Sequence, residues 1–412
     1  MKKVICSRIA RNSVIYTTDF VLQMFVQAAY AILISSKLGP SSYGVFSSIT
    51  AVSIIASVFS GWGCDQTLIA KVSVEKGLFQ KTLGSGLSII LLTYPALLAI
   101  SFSVLHFTIP PSLIGMGSLL LMISMDLLFT KVIFLAKACF VVFERAKGQL
   151  VINLFTTITR LLFLFLALTL SSEFTLNTWS IWYFSSGLIS AGFSLMYTAY
   201  NFGTPQFSNL KAGFISGMQF CIEQASLAAL KDLDKPIVVA VMNSEQAGYY
   251  AAAFKLVDAA SSPIRGMLYA AYVRYFKFCR TSERDGIAFS FKVLPYLVIG
   301  SLIIAVLIYS LAWVLPMILG EKYRPAISIV QQLSLYPLLI GLLGTGVDLL
   351  RGIGRQLTRT YIMIGSSLAT APVLYLFLDL FGIAGAAGAK IAVLAATVTT
   401  VWWVIVKIRG QA

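Results

Sequence analysis

QFCIEQASLAALKDLDKPIVVAVMNSEQAGYYAAAFKLVDAASSPIR, residues 219–265, decides how the chain is read. The sequence around it is mostly apolar, yet this window holds Glu223, Lys231, Asp232, Asp234, Lys235, Glu245, Lys255, Asp258 and Arg265. If the flanking apolar runs cross a bilayer, most of these charges lie at membrane depth. One ionised side chain there costs about 2.5–3.5 kcal/mol even on a lenient insertion scale. Such groups persist by pairing with one another or by facing a wet cavity.

Of 412 residues, 58% are hydrophobic and 11% charged, against about 45–50% and about 25% in soluble domains. That balance defines an integral membrane protein. The net charge of +15 does not point to nucleic acid, because no basic tract, stacking motif or zinc spacing accompanies it. Cys6, Cys64, Cys139, Cys221 and Cys279 are scattered, with no CxxC, so neither a disulfide framework nor a metal site is expected. There is no GxxxxGK[ST] sequence, and neither a nucleotide nor another cofactor is expected. The single His106 lies near a predicted membrane edge and reads as an interfacial residue. Ala29-Tyr30-Ala31 superficially resembles a signal cleavage site, but the run before it is too long and holds Asp19, Gln23 and Gln27. It reads as a retained first span.

Apolar windows long enough to cross about 30 Å of hydrocarbon are predicted twelve times, near 13–36, 43–64, 83–107, 112–136, 149–170, 179–203, 213–241, 247–273, 287–315, 326–350, 360–379 and 383–406. The N-terminus carries Lys2, Lys3, Arg8 and Arg11, and every second connection is basic: Lys71, Lys76 and Lys81; Lys137, Arg145 and Lys147; Lys211; Arg274, Lys277, Arg280 and Arg284; Arg351, Arg355 and Arg359. Lys407 and Arg409 follow the last span, while the intervening connections hold only Lys37, Lys322 and Arg324 among cations. The positive-inside rule therefore puts both termini of a multi-pass membrane protein in the cytoplasm, with an even number of spans; the cell inner membrane is what the family resemblance given below implies. No connection is long enough to fold as a domain, which speaks against a membrane enzyme such as a polysaccharide polymerase.

The halves resemble each other. Leu38-Gly39-Pro40-Ser41-Ser42-Tyr43-Gly44 enters the second span, and Met242-Asn243-Ser244-Glu245-Gln246-Ala247-Gly248-Tyr249-Tyr250 enters the eighth. Six spans plus six, as parallel repeats, is an arrangement of alternating-access transporters. The expected fold is an all-α polytopic membrane protein with 12 transmembrane helices, six in each half; that they form two six-helix lobes around a central cavity is what the family resemblance given below implies. The expected domains are 1–203, a linker at 204–212, and 213–412.

Four stretches carry a resemblance to a known family: LGPSSYGVFSSITAV (38–52) with GWGCDQTLIAKVS (61–73); Leu233-Asp234-Lys235 followed by EQAGYYAAAFKLVDA (245–259); LGEKYRPAISIVQQLSLYP (319–337); and FGIAGAAGAKIAVLAATVT (381–399). In order and spacing they resemble the polysaccharide transporter family of the MOP (multidrug, oligosaccharidyl-lipid, polysaccharide) exporter superfamily, which includes Wzx-type O-antigen flippases. The resemblance implies two lobes about a cavity and outward flipping of undecaprenyl-pyrophosphate-linked oligosaccharide. Polymerase and chain-length proteins of the same glycan pathway are its implied partners. A cation-coupled multidrug exporter of the same superfamily is the nearest alternative.

A lipid diphosphate needs cations along a wet route, held moderately enough to allow release. Arg160 lies about eleven residues into its span, near the midplane, with no acid within a helical turn and with Asn153, Thr156 and Thr157 on or near its stripe. It is the leading phosphate contact, with a structural pair to Asp126 as the competing reading. Lys255, Asp258, Ser262 and Arg265 follow one helical stripe that reads as a cavity face, and Lys255 can pair with Asp258 at i, i+3. Lys231 and Lys235 share a face at i, i+4, interleaved with Asp232 and Asp234, so substrate binding and structural pairing both stand open for them, and Pro236 is expected to kink the helix there. Lys131 and Lys390 sit five to seven residues from span ends, and Lys235 near another; all three are placed to snorkel, and Lys131 and Lys235 stay in the substrate-binding set. Asp126, Asp258 and Asp234 are candidates for ion coupling or charge pairing. Gly382 to Ala389 reads as a close-packing stripe, and Trp402 and Trp403 as belt residues.

Overall fold

The computed structural model describes the backbone of residues 2–207 and 214–411, and among these residues it is helical throughout, with no strand. Most of the expected linker, 208–212, lies outside the described residues, as does the side chain of Asp19. The rods follow the predicted windows. The first helix, Lys2–Ser57, serves two of them because it bends at Gly39, which takes φ 74° and ψ 171° and precedes Pro40. Such a backbone is essentially open to glycine alone.

Phe79–Thr108, Met116–Val142, Ala146–Leu170 and Leu176–Phe202 come next, after a turn at 58–63, which ends the second window earlier than its apolar pattern suggests, and a short helix Cys64–Val74. Phe214–Asp232 continues as Asp234–Val241, and Ser244–Ala260 continues as Ser262–Thr281. Glu283–Leu319, Ala326–Gly352, Gln356–Phe381 and Ile383–Gln411 complete the series. Counted this way, the described residues make twelve long rods.

Eight of the described stretches are long and apolar enough to cross a membrane by length and composition. The other predicted windows are explained by what they carry. The first two windows share one continuous helix. The window at 179–203 is rich in Ser and aromatic residues, and those at 213–241 and 247–273 carry the charge cluster.

Exposure follows membrane logic. Helix Leu176–Phe202 buries Ser180, Tyr183, Ser186, Gly187, Ser190, Ala191, Ser194 and Thr198. Its opposite face exposes Ile181, Leu188, Ile189, Met196 and Tyr200. Small residues inside allow close helix approach, and large apolar ones outside suit acyl chains.

By internal contacts the chain forms two compact units, one of residues 1–30 and 45–228 and one of residues 31–44 and 229–412. Within the second unit, the two stretches that look like repeats touch each other. Ser41 and Ser244 hydroxyls are 2.7 Å apart. A Cβ on Gly44 would lie 2.1 Å from the Ser244 carbonyl oxygen, and one on Gly248 only 1.9 Å from that of Pro40. Two glycines thus let backbone meet backbone, and the Tyr323 hydroxyl seals the neighbourhood by donating to Ser35 O at 2.8 Å.

Candidate functional site

Several buried charges lie at or beside helix irregularities: Asp126 in a π-helical turn, Asp232 and Asp234 on either side of Leu233, and Asp258 shortly before Ser261. Met125–Phe129 is one π-helical turn inside an otherwise α-helical rod, a distortion that is common where a side chain must be re-aimed. It presents Asp126, 4% exposed. The Tyr183 hydroxyl donates to Asp126 Oδ1 at 2.8 Å, while Oδ2 is buried with no hydrogen-bond partner. Arg160 makes no ion pair among the described residues. Its guanidinium lies 5.3 Å from the Tyr183 ring and 5.8 Å from the Tyr30 ring, with Nη2 4.0 Å from Met125 Sδ. Asp126 is its electrostatic neighbour rather than a bonded partner. A partly buried cation on aromatic faces, without a carboxylate clamp, keeps hydrogen-bonding capacity for an incoming anion.

Lys131 does not snorkel. Its ammonium is 3.0 Å from Asp65 Oδ1, with the two side chains 8% and 19% exposed. The reason is the turn at 58–63 before Cys64–Val74, which brings Asp65 against the rod that carries Lys131. Lys235 does not snorkel either; it is paired with Asp232 and lies 5.2 Å from the Phe254 ring. Lys390 is 4% exposed and bonded to Asp234 Oδ2 at 2.8 Å. In each case an acid at the same depth keeps the amine inside.

Asp258 is the hub of the second unit. It accepts from Lys231 at 3.1 Å on Oδ2, and from Arg265 and the Tyr336 hydroxyl on Oδ1, the latter at 3.2 Å. The i, i+3 pair with Lys255 does not form; Lys255 is exposed and makes no ion pair among the described residues. The three partners of Asp258 flank three breaks: Lys231 before Leu233, Arg265 after Ser261, and Tyr336 after the 3₁₀ turn Leu333–Leu335. Pro263 and Pro337 sit at the first helical positions after two of these breaks, where a missing N–H costs nothing.

Charge then adds up on one cluster. Lys231, Lys235, Lys255, Arg265 and Lys390 face Asp232, Asp234 and Asp258, five cations to three carboxylates, or a net +2. The exposed members are all cations: Lys231 and Arg265 have side chains 46% and 31% exposed, and Lys255 is exposed as well. The carboxylates are buried behind them.

Sequence reasoning missed Asp65 and the tyrosines Tyr183, Tyr250 and Tyr336, each bonded to a buried acid or amine. The signal for Tyr250 lay within the Gly-x-Tyr pattern Gly248-Tyr249-Tyr250; the others pair across 57 to 78 residues and leave no local pattern. His106 stacks on Phe102, with ring centroids 5.7 Å apart.

This architecture is shared with exporters. The chain is similar in structure to an inward-facing multidrug-resistance MATE family transporter of the MOP superfamily, with a TM-score of 0.75 at 13% identity, covering 94% of this chain and 95% of the other. It is also similar to the lipid II flippase MurJ in an inward closed conformation, with a TM-score of 0.71 at 13% identity, covering 96% and 87%. An outward-facing MATE family transporter gives 0.63 at 12% identity over 97% of each chain. The fold is thus that of a membrane transporter or flippase. Residues 9–276 match the family described as "Polysaccharide biosynthesis protein", and the chain belongs to that family. No curated protein matches the sequence.

Proposed function

We propose that the protein flips undecaprenyl-pyrophosphate-linked oligosaccharide repeat units, of the O-antigen, capsule or exopolysaccharide kind, from the cytoplasmic to the outer leaflet. It would do so by alternating access, in the cell inner membrane with both termini cytoplasmic. The proposed sequence halves are 1–203 and 213–412, joined at 204–212, although residues 31–44 pack with the second compact unit and residues up to 228 with the first. Family membership supports a place in glycan assembly, and the likeness to a lipid II flippase supports a lipid-borne cargo.

The observation that carries the reading is the net +2 cluster with Lys231, Lys255 and Arg265 exposed at its surface. A diphosphate brings the opposite charge and can take hydrogen bonds from all three. Asp258 already holds two of them, so it competes with the headgroup and keeps binding moderate enough for release. Arg160, within the first unit, is proposed as a phosphate contact of its own. Lys131 and Lys235, fully engaged in pairs, act by holding helices in place. A multidrug exporter of organic cations is less well served by an excess of exposed cations.

The test is flipping in proteoliposomes, using a fluorescent undecaprenyl-diphosphate oligosaccharide and a membrane-impermeant quencher. The purified chain is expected to accelerate equilibration between leaflets, and Lys255→Ala with Arg265→Ala to slow it at least tenfold at equal protein. A rate equal to that of protein-free liposomes, or unchanged flipping in the double variant together with Arg160→Ala, rejects the reading. In cells, loss of the gene should remove surface glycan while lipid-linked units accumulate inside; units reaching the outer face unpolymerised would point instead to an enzyme.

A further inference from the structure

We propose that the Lys390 ammonium is a built-in counter-cation, seated in an oxygen cage that would otherwise take a monovalent metal ion such as sodium. Its Nζ donates to Leu230 O at 2.8 Å, Lys231 O at 2.7 Å and Asp234 Oδ2 at 2.8 Å. An ammonium has three N–H donors and no acceptor. Each donor therefore has its own oxygen, and only the charged form fits, because a neutral amine would turn a lone pair towards one of them.

The cage arises from chain geometry. Helix Phe214–Asp232 ends at Leu233, where the N–H bonds Ala229 O. The last carbonyls of a helix have no intrahelical donors and form the negative end of its dipole. Leu230 O and Lys231 O are two of these, and Asp234 opens the next helix beside them. Two carbonyls and a carboxylate at this spacing make the oxygen set that hard cations prefer. The Phe254 ring, 4.7 Å from Nζ, closes a further side, and the Tyr250 hydroxyl fixes the carboxylate by donating to Oδ2 at 2.5 Å. The other oxygen, Asp234 Oδ1, is buried with no hydrogen-bond partner. A cavity of about 10 Å³, lined by Asp234, Lys390 and Thr370, adjoins the site. Removing the lysine side chain would enlarge that cavity beside the Asp234 carboxylate.

A tethered ammonium cannot be lost by dilution, so this site takes no ion from solution, and Asp234 is not available for ion coupling while Lys390 is seated. The inference stands whatever molecule the protein carries.

The experiment is thermal unfolding of the full purified chain in detergent, at constant ionic strength, in sodium, lithium, potassium, methylammonium or choline chloride. The wild type is expected to unfold at the same temperature in all five. Lys390→Met is expected to unfold several degrees lower in choline and to recover in sodium, lithium or methylammonium. Asp234→Asn/Lys390→Met removes both charges and is expected to unfold near the wild type, with no response to cations. The inference is overturned if the wild type gains from sodium as much as Lys390→Met does, or if that variant ignores every cation. It is also overturned if the variant matches the wild type in choline. Should Lys390→Met not accumulate, the double variant decides: stability close to wild type upholds the cage, and equal damage overturns it.

Discussion

Replacing Asp258 with Asn keeps the side chain's shape and the Tyr336 contact but deletes the charge that holds Lys231 and Arg265. Losing one partner of a fully buried pair costs about 3–5 kcal/mol. Here the acid is 7% exposed, while its cationic partners are 46% and 31% exposed at the side chain. The Lys231 bond is therefore close to a surface pair, about 0.5 kcal/mol. The Arg265 bond, more enclosed, should be near the lower end of charge-assisted hydrogen bonds, about 1.5 kcal/mol. Adding the repulsion between two cations that lose their common acid gives a loss of about 2–3 kcal/mol. Double-mutant cycles of Asp258→Asn with Lys231→Met and with Arg265→Gln, read by unfolding of the full chain in detergent, separate the terms. The Arg265 coupling should exceed the Lys231 coupling. An Asp258→Asn variant as stable as the wild type, or a Lys231 coupling larger than that of Arg265, refutes the reasoning. The same substitution raises the net charge of the cluster by one, so a diphosphate lipid should bind more tightly while flipping slows through delayed release.

Lys131→Met leaves Asp65 without its cation and should cost about 3 kcal/mol, with Asp65→Asn/Lys131→Met recovering most of that loss in the same unfolding assay. Tyr183→Phe strips the donor from Asp126 Oδ1, whose other oxygen already has none, and should cost about 1–3 kcal/mol; if the variant matches the wild type, that hydrogen bond does not hold Asp126. Gly248→Ala drives a Cβ into the Pro40 carbonyl and should destabilise sharply, whereas Gly39→Ala meets no neighbouring atom within 4 Å and should cost only its backbone strain, about 1–3 kcal/mol. Ranking the two by detergent unfolding checks this; a larger loss at Gly39 contradicts the seam between the two glycine turns.

The membrane class, the helical fold and the rod count were legible because they rest on run length and on loop charge, which are local properties. The bend at Gly39-Pro40 was written in the residues themselves. What the sequence could not supply were partners. Lys131, Lys235 and Lys390 all sit where a long side chain could reach an interface, and each stays inside because an acid from a turn or a helix break lies at its own depth. Distance along a span sets where a lysine can reach, but only packing says what it meets there. The stripe Lys255, Asp258, Arg265 was read as one polar face, yet its i, i+3 pair does not form, and Asp258 bonds Lys231 and Arg265 instead. Arg160 was visible as a lone cation, and its aromatic surroundings were not.

Residues 31–44 belong with residues 229–412, although they are made long before them. A ribosome adding about 5–20 residues per second takes about 10–40 s to pass from residue 44 to residue 229. For that interval the Gly39-Pro40 turn has no Gly248 to rest against, and the earliest hairpin must wait in the bilayer with one face unclaimed. Packing of this chain therefore cannot be completed strictly half by half. A translation arrest within that gap should leave Ser41, replaced by cysteine, open to an aqueous thiol reagent, and release of the full chain should close it off.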